Sequence, residues 1–95
     1  MPFYCYILKC ANGAYYTGWT IDPLRRLKQH NAGKGAQYTR MNRPVELVYV
    51  EEQLDKVTAL KREREIKKWH HDRKEKLVEQ NPLTPEYRIT THNGS

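Results

Sequence analysis

Five polar side chains in this sequence have types and spacings suited to one chemistry. Tyr6 and Tyr16 lie on two short β-branched and aromatic segments, Arg26 and His30 are four residues apart, and Glu63 falls in a later amphipathic stretch. Each has a use at a phosphodiester. An arginine offers planar, paired donors to a non-bridging phosphate oxygen. A single carboxylate with open coordination positions suits Mg²⁺, or Mn²⁺ in its place, because such an ion keeps several waters and takes few protein ligands. A tyrosine hydroxyl close to the ion can relay a proton from an attacking water. Glu63 also has a plainer reading. On a helix it follows Ala59 by four residues and Leu60 by three, and precedes Ile66 by three, so it is drawn onto the apolar face while Glu65 points elsewhere. A carboxylate near an apolar interface must be paired, hydrogen-bonded or metal-bound. For Glu63 taken alone, an ion pair with a lysine or arginine is the commoner outcome.

The elements that must position these groups follow from local pattern. Phe3–Lys9 places Tyr4, Tyr6 and Leu8 on one face and Phe3, Cys5 and Ile7 on the other, as in a strand covered on both sides. Ala11-Asn12-Gly13 is a turn leading to a second strand, Tyr15–Thr20. A two-residue loop would pair Lys9 with Tyr16 and leave Tyr6 and Tyr16 on opposite faces. A three-residue loop with Gly13 left-handed pairs Cys10 with Ala14 and Leu8 with Tyr16, which unites the tyrosines. Composition does not choose between the two. Asp22-Pro23 is an N-cap followed by proline at the first helical position, opening a helix through Leu24–Asn31 that stops near Gly33. Leu24 and Leu27 face its core side, Arg25 points away, and Arg26 and His30 flank the apolar stripe.

Residues Asn31–Arg43 read as a loop rich in glycine and basic residues, and their GxG is a weak sign of phosphate binding without the rest of the fingerprint. Val45–Val50 reads as a third strand. Gln53–Trp69 is a second helix with Val57, Ala59, Leu60 and Ile66 on its apolar side, and His71–Glu79 is a third. Residues 1–80 form one domain, and 81–95, with two prolines and no periodicity, read as a flexible tail.

Composition narrows the function classes. A chain of 95 residues, 38% hydrophobic and 29% charged, suits one small domain. No run approaches the roughly 18 apolar residues of a membrane span. The segment Met1 to Cys10 carries its only charge at Lys9 and has no small-residue cleavage site, so a secretion signal is not expected. Cys5 and Cys10 have odd separation on a strand and face opposite ways, which argues against a mutual disulfide; CxxC spacing is absent too. A reduced, cytoplasmic protein is expected. The formal charge is +6. It is uneven: residues 1–50 carry seven basic and two acidic side chains, while residues 51–95 carry ten and nine. Clustered positive charge favours a polyanion, and Lys28, Lys34, Arg40 and Arg43 are the candidates to contact nucleic acid. The adjacent His70 and His71 diverge on a helix and make a poor metal pair. Trp19 and Trp69 read as packing residues before base-stacking platforms.

Tyr6-Ile7, then Tyr16-Thr17-Gly18, then Arg26-x-x-x-His30 and a later Glu63 resemble the GIY-YIG nuclease superfamily, in particular its small standalone bacterial members. The likeness spans about residues 3–69, and the order and spacing of the motifs carry it. It implies an α/β (α+β) GIY-YIG endonuclease fold, a three-stranded antiparallel sheet flanked by helices, and Mg²⁺-dependent phosphodiester hydrolysis. By the same resemblance Tyr6 matches the general-base tyrosine and Tyr16 the second motif tyrosine that positions water or phosphate. Arg26 matches the arginine that stabilises developing charge. His30 stands where relatives contact the scissile phosphate, and Glu63 matches the sole protein ligand to the metal. Tyr4-Cys5 in place of Gly-Ile and Thr17 in place of Ile affect packing more than chemistry. Trp19 stands where repair relatives carry a lysine, which weakens the likeness to a repair-type incision. With no separate DNA-binding domain read in the sequence, the expected substrate is branched or single-stranded DNA, without recognition of a long sequence. The alternative is a catalytically weak nucleic-acid-binding module of the same fold.

Overall fold

The first hairpin decides where the two tyrosines go. In a computed structural model, which describes residues 2–88, β1 (Phe3–Lys9) and β2 (Tyr15–Thr20) are antiparallel with Leu8 opposite Tyr16 and Tyr6 opposite Gly18. Cys10 N donates to Ala14 O at 2.8 Å, and Gly13 sits at φ 86°. This is the three-residue loop, and it sets Tyr6 and Tyr16 on one face of the sheet.

The third strand, β3 (Glu46–Gln53), pairs antiparallel with the other side of β1, so the sheet order is β2-β1-β3. It runs three residues beyond the expected Val50. Ile7 faces Tyr49 while Leu8 faces Leu47, leaving Val48 as an extra residue in β3. The central strand is therefore covered by pairing at both edges and by helices on both faces.

Helix α1 (Pro23–Asn31) begins as its local sequence requires: the Asp22 side chain accepts from Arg25 N at 3.2 Å, and Pro23 occupies the first turn. Its Leu27, with half-buried Leu24, packs on Tyr6, Leu8, Cys10, Val45 and Leu47. The opposite face carries Cys5, Ile7 and Tyr49, covered by Ile66 of a second long helix and by Trp69, Leu77 and Val78 beyond it. Cys5 and Cys10 are thus in different clusters, and both are free thiols.

Several expected boundaries change. Within Asn31–Arg43, residues Gln37–Met41 form a short helix, α2. The buried Thr39 anchors it, a contact that no local pattern announces. The long helix α3 covers Lys56–Lys67, shorter than Gln53–Trp69 because Gln53 belongs to β3 and Asp55 closes a capping box with Thr58. Val57, expected in its apolar side, is 58% exposed, whereas Ala59 and Ile66 are fully buried. Helix α4 spans His71–Gln80. Residues 81–88, expected to begin a flexible tail, instead include a short α5 (Pro85–Arg88) and lay Leu83 and Tyr87 against the cluster under α1. The remainder of that tail, 89–95, lies outside the described residues. No helix among the described residues is long and apolar enough to cross a membrane.

Candidate active site

Tyr6 stands at the centre of the site, and Gly18 makes room for it. Directly across the ladder, a Cβ on residue 18 would lie 2.6 Å from the Tyr6 hydroxyl and 2.8 Å from its ring carbon Cζ. Only a residue without a side chain lets the phenol cross the β2 backbone at this height. The hydroxyl then meets His30, with Oη and Nε2 2.9 Å apart. On its far side, His30 Nδ1 is 2.7 Å from Thr39 Oγ1. The Tyr16 ring stands edge-on to the same imidazole, with centroids 5.3 Å apart.

Arg26 lies one turn before His30 on α1 and is half-buried; its Nη1 donates to Gln29 Oε1 at 3.0 Å. Arg26 and Gln29 line a surface cavity of about 160 Å³ together with Thr20, Ile21, Asp22 and Arg25. Arg25 itself is exposed, as the helical phase requires. From α3 comes Glu63, whose side chain is 14% exposed and whose Oε2 is 3.2 Å from Lys67 Nζ. Lys67 Nζ in turn stands 6.0 Å from the centre of the Tyr16 ring. This end of α3 therefore reaches the tyrosine face around the free edge of β2.

Burial pushes the Tyr6 phenol up to about 12; the Arg26 guanidinium draws it down, while Tyr16 and the Glu63 carboxylate push it up further. His30 is lowered to about 4, first by burial and then by the charge of Arg26. At neutral pH both groups are uncharged. Tyr6, Tyr16, Arg26, His30 and Glu63, drawn from β1, β2, α1 and α3, form one constellation: both tyrosines meet His30, Arg26 lies one turn before it, and Glu63 is joined to the Tyr16 ring through Lys67.

His30 is 0% exposed, with Tyr6 beside it at 2%, and both of its ring nitrogens are engaged, Nε2 with Tyr6 and Nδ1 with Thr39. Glu63 carries the ion pair that its apolar position suggested, with a lysine one turn on. It still fits a hydrated divalent cation, since it offers hard carboxylate oxygens beside the site. An ion there would take Glu63 as its one carboxylate and waters for the rest, with Lys67 displaced.

The basic candidates are also at the surface. Lys28, Lys34, Arg40 and Arg43 are all exposed, on α1, α2 and the segments flanking α2. Arg43 spends part of its guanidinium on backbone, with Nε donating to Arg40 O at 3.1 Å and Nη1 to Asn31 O at 3.3 Å. The side chains missed by sequence reasoning are Gln29, Thr39 and Lys67. Lys67 is legible as the i+4 partner of Glu63, whereas Thr39 meets His30 only through the fold. A separate polar group, in which Arg62 bonds Glu51 at 2.9 Å and Glu65 at 2.8 Å, ties α3 to β3 and stands apart from this constellation.

Known proteins share both sequence and fold with this chain. Residues 2–76 match the GIY-YIG catalytic domain. A UPF0213 protein of Staphylococcus epidermidis is 48% identical over 77 residues, covering 81% of this chain and 94% of its own. A UPF0213 protein of Syntrophus aciditrophicus is 48% identical over 81 residues, covering 83% and 92%. The solution structure of the UPF0213 protein BH0048 from Bacillus halodurans is similar at 40% identity and a TM-score of 0.58, covering 98% of each chain.

Proposed function

This chain belongs to the GIY-YIG catalytic domain family, and from that membership we propose that it is a Mg²⁺-dependent nuclease that hydrolyses phosphodiester bonds in branched or single-stranded DNA. The observation that supports this reading best is the meeting of an arginine, a buried tyrosine–histidine pair and one rim carboxylate at a single edge of the sheet.

Each residue then has a task. Arg26, beside its open cavity, receives a non-bridging phosphate oxygen and offsets the charge that develops in the transition state. Glu63 would hold the divalent ion, which would supply a Lewis acid at the phosphate and lower the pKa of bound water. Tyr6 presents its oxygen to the attacking water while His30 holds the phenol in place. His30 is not itself the base at rest. Burial raises the Tyr6 phenol and lowers the His30 imidazole, so moving the Tyr6 proton to His30 runs against both shifts. A Tyr6 that accepts the proton of the attacking water must first release its own to solvent, and the positive charge of Arg26 favours that phenolate. Tyr16 packs against His30 and carries Lys67 over its ring. Lys28, Lys34, Arg40 and Arg43 receive the backbone of the nucleic acid on either side.

The test is cleavage of labelled single-stranded, branched and duplex DNA in Mg²⁺ by the wild-type chain, Glu63→Gln and Arg26→Ala. Loss of an oxyanion-type donor costs roughly 10²–10³ in rate, so Arg26→Ala falls by that factor and Glu63→Gln falls to background. A decrease below tenfold for Arg26→Ala rejects its role. Equal background cleavage by all three chains, with salt-dependent binding retained, favours the binding module.

A further inference from the structure

We propose that Thr39 is a positioning residue that keeps the His30 proton on Nδ1, so that Nε2 stays a bare acceptor and aims the Tyr6 hydroxyl. The starting point is the single proton of the threonine. Thr39 Oγ1 donates to Ala36 O at 2.9 Å, the carbonyl that also accepts Arg40 N at 3.0 Å in the first turn of α2. With its hydrogen committed there, Oγ1 can only accept from His30 Nδ1, 2.7 Å away. The imidazole must then bear its hydrogen on Nδ1, and Nε2 must accept from Tyr6 Oη at 2.9 Å.

The other end of the chain of bonds points the same way. Tyr6 Oη has His30 Nε2 as its side-chain partner, and the phenol is buried. With the proton on Nε2, Tyr6 Oη would accept from His30, and the hydrogen of a phenol only 2% exposed would lose the acceptor it has in the site. With Nε2 bare, every donor points in one direction, from Tyr6 to His30 to Thr39 to the Ala36 carbonyl, the imidazole accepting at Nε2 and donating from Nδ1. Rotation of the ring cannot undo this arrangement. His30 is 0% exposed, and a Cβ at Gly35 would lie 2.1 Å from Nδ1 and 2.7 Å from Cγ, so the imidazole is flush against the turn that leads into α2.

The consequence for turnover rests on the hydrolase reading; the tautomer does not. The experiment is a long-range ¹H–¹⁵N correlation spectrum of the His30 ring in the ¹⁵N-labelled full chain at neutral pH, recorded for wild type, Thr39→Ser and Thr39→Val. Wild type and Thr39→Ser are expected to show a protonated Nδ1 and a bare Nε2, and Thr39→Val to move the proton wholly or partly to Nε2. Cleavage assays on the same chains are expected to show kcat down by up to about 100-fold for Thr39→Val with KM unchanged, as for a misplaced reacting group, and recovery in Thr39→Ser. A wild-type proton on Nε2, a Thr39→Val spectrum identical to wild type, or an effect confined to KM overturns the proposal. Should Thr39→Val fail to fold, the wild-type and Thr39→Ser spectra still decide the tautomer. If no chain cleaves DNA, the hydrolase reading fails, and the spectra alone decide whether Thr39 sets the proton on His30.

Discussion

Thr17 and Gly18 are neighbours in β2 that point to opposite faces, and substitutions at the two should have opposite signs. Thr17 pairs across the ladder with Ile7 on the α3 side, and its buried Oγ1 has no hydrogen-bond partner among the described residues. An orphaned hydroxyl costs roughly 1–3 kcal/mol. Thr17→Val keeps the branched shape and removes the polar atom, so it should raise unfolding stability by about 1 kcal/mol in urea titrations and leave cleavage unchanged. A loss of stability would mean that the hydroxyl is bonded. Gly18 has the reverse constraint, because its missing side chain is the space through which Tyr6 reaches His30. Gly18→Ala forces the rigid phenol aside, and overpacking of this kind costs about 1–3 kcal/mol. Cleavage should fall with it even where the chain remains folded, since Tyr6 can no longer hold both the His30 contact and its place in the ladder. Unchanged stability and activity in Gly18→Ala would show that the crossing is not close.

At the scale of elements, what can be read from sequence depends on how local the determining contact is. Helix α1 is legible to the residue because Asp22, Pro23 and the spacing of Leu24 and Leu27 all act within two turns. The β1–β2 hairpin is legible except for its register, which rests on one left-handed glycine and one backbone bond from Cys10 to Ala14. Glu63 stands out in the sequence because it lies only about 40° round α3 from Ala59 at 100° per residue. The same arithmetic removes Val57 from the apolar side, since it lies about 160° from Ala59, and its exposure follows. Helix α2 cannot be read from sequence at all. Five residues are too few to show a period, and the element exists because Thr39 is buried under His30 at a separation of nine residues. The segment after α4 departs from the expected tail for a related reason. Leu83 and Tyr87 have no repeating pattern of their own, yet they find apolar partners in the cluster beneath α1. The constellation is therefore visible in the sequence as a set of residue types, and the contacts that orient it are not.

For the molecule as a whole, His30 joins β1, α1 and α2 in one buried polar series, and that makes stability depend on pH. In the unfolded chain the imidazole titrates near its ordinary 6.5, while in the fold burial and the Arg26 charge lower it to about 4. Between those values the unfolded state binds more protons than the native state, so stability is fully present above pH 6.5 and is lost as pH falls toward 4. The difference corresponds to about 3 kcal/mol at the lower end, a large share of what a small domain possesses. Asp55 acts in a lower window. Its bonds to Thr58 hold the carboxyl below the usual carboxylate range, so its contribution fades only as pH falls through and below about 4. His70 and His71 are exposed, with His71 stacked on Tyr15, away from the Tyr6–His30–Thr39 series. Urea unfolding measured from about pH 7.5 to 4.5 should therefore show wild-type stability level above about pH 6.5 and falling steadily below it. His30→Gln should begin lower at the neutral end, having lost ring packing against Tyr6 and Tyr16, and should be nearly flat below it. A wild-type profile without slope in that window would mean that His30 is not held neutral in the core. The same buried imidazole that directs the Tyr6 hydroxyl would then be free to carry charge, and the resting state of the site would have to be redrawn with an imidazolium beside Arg26.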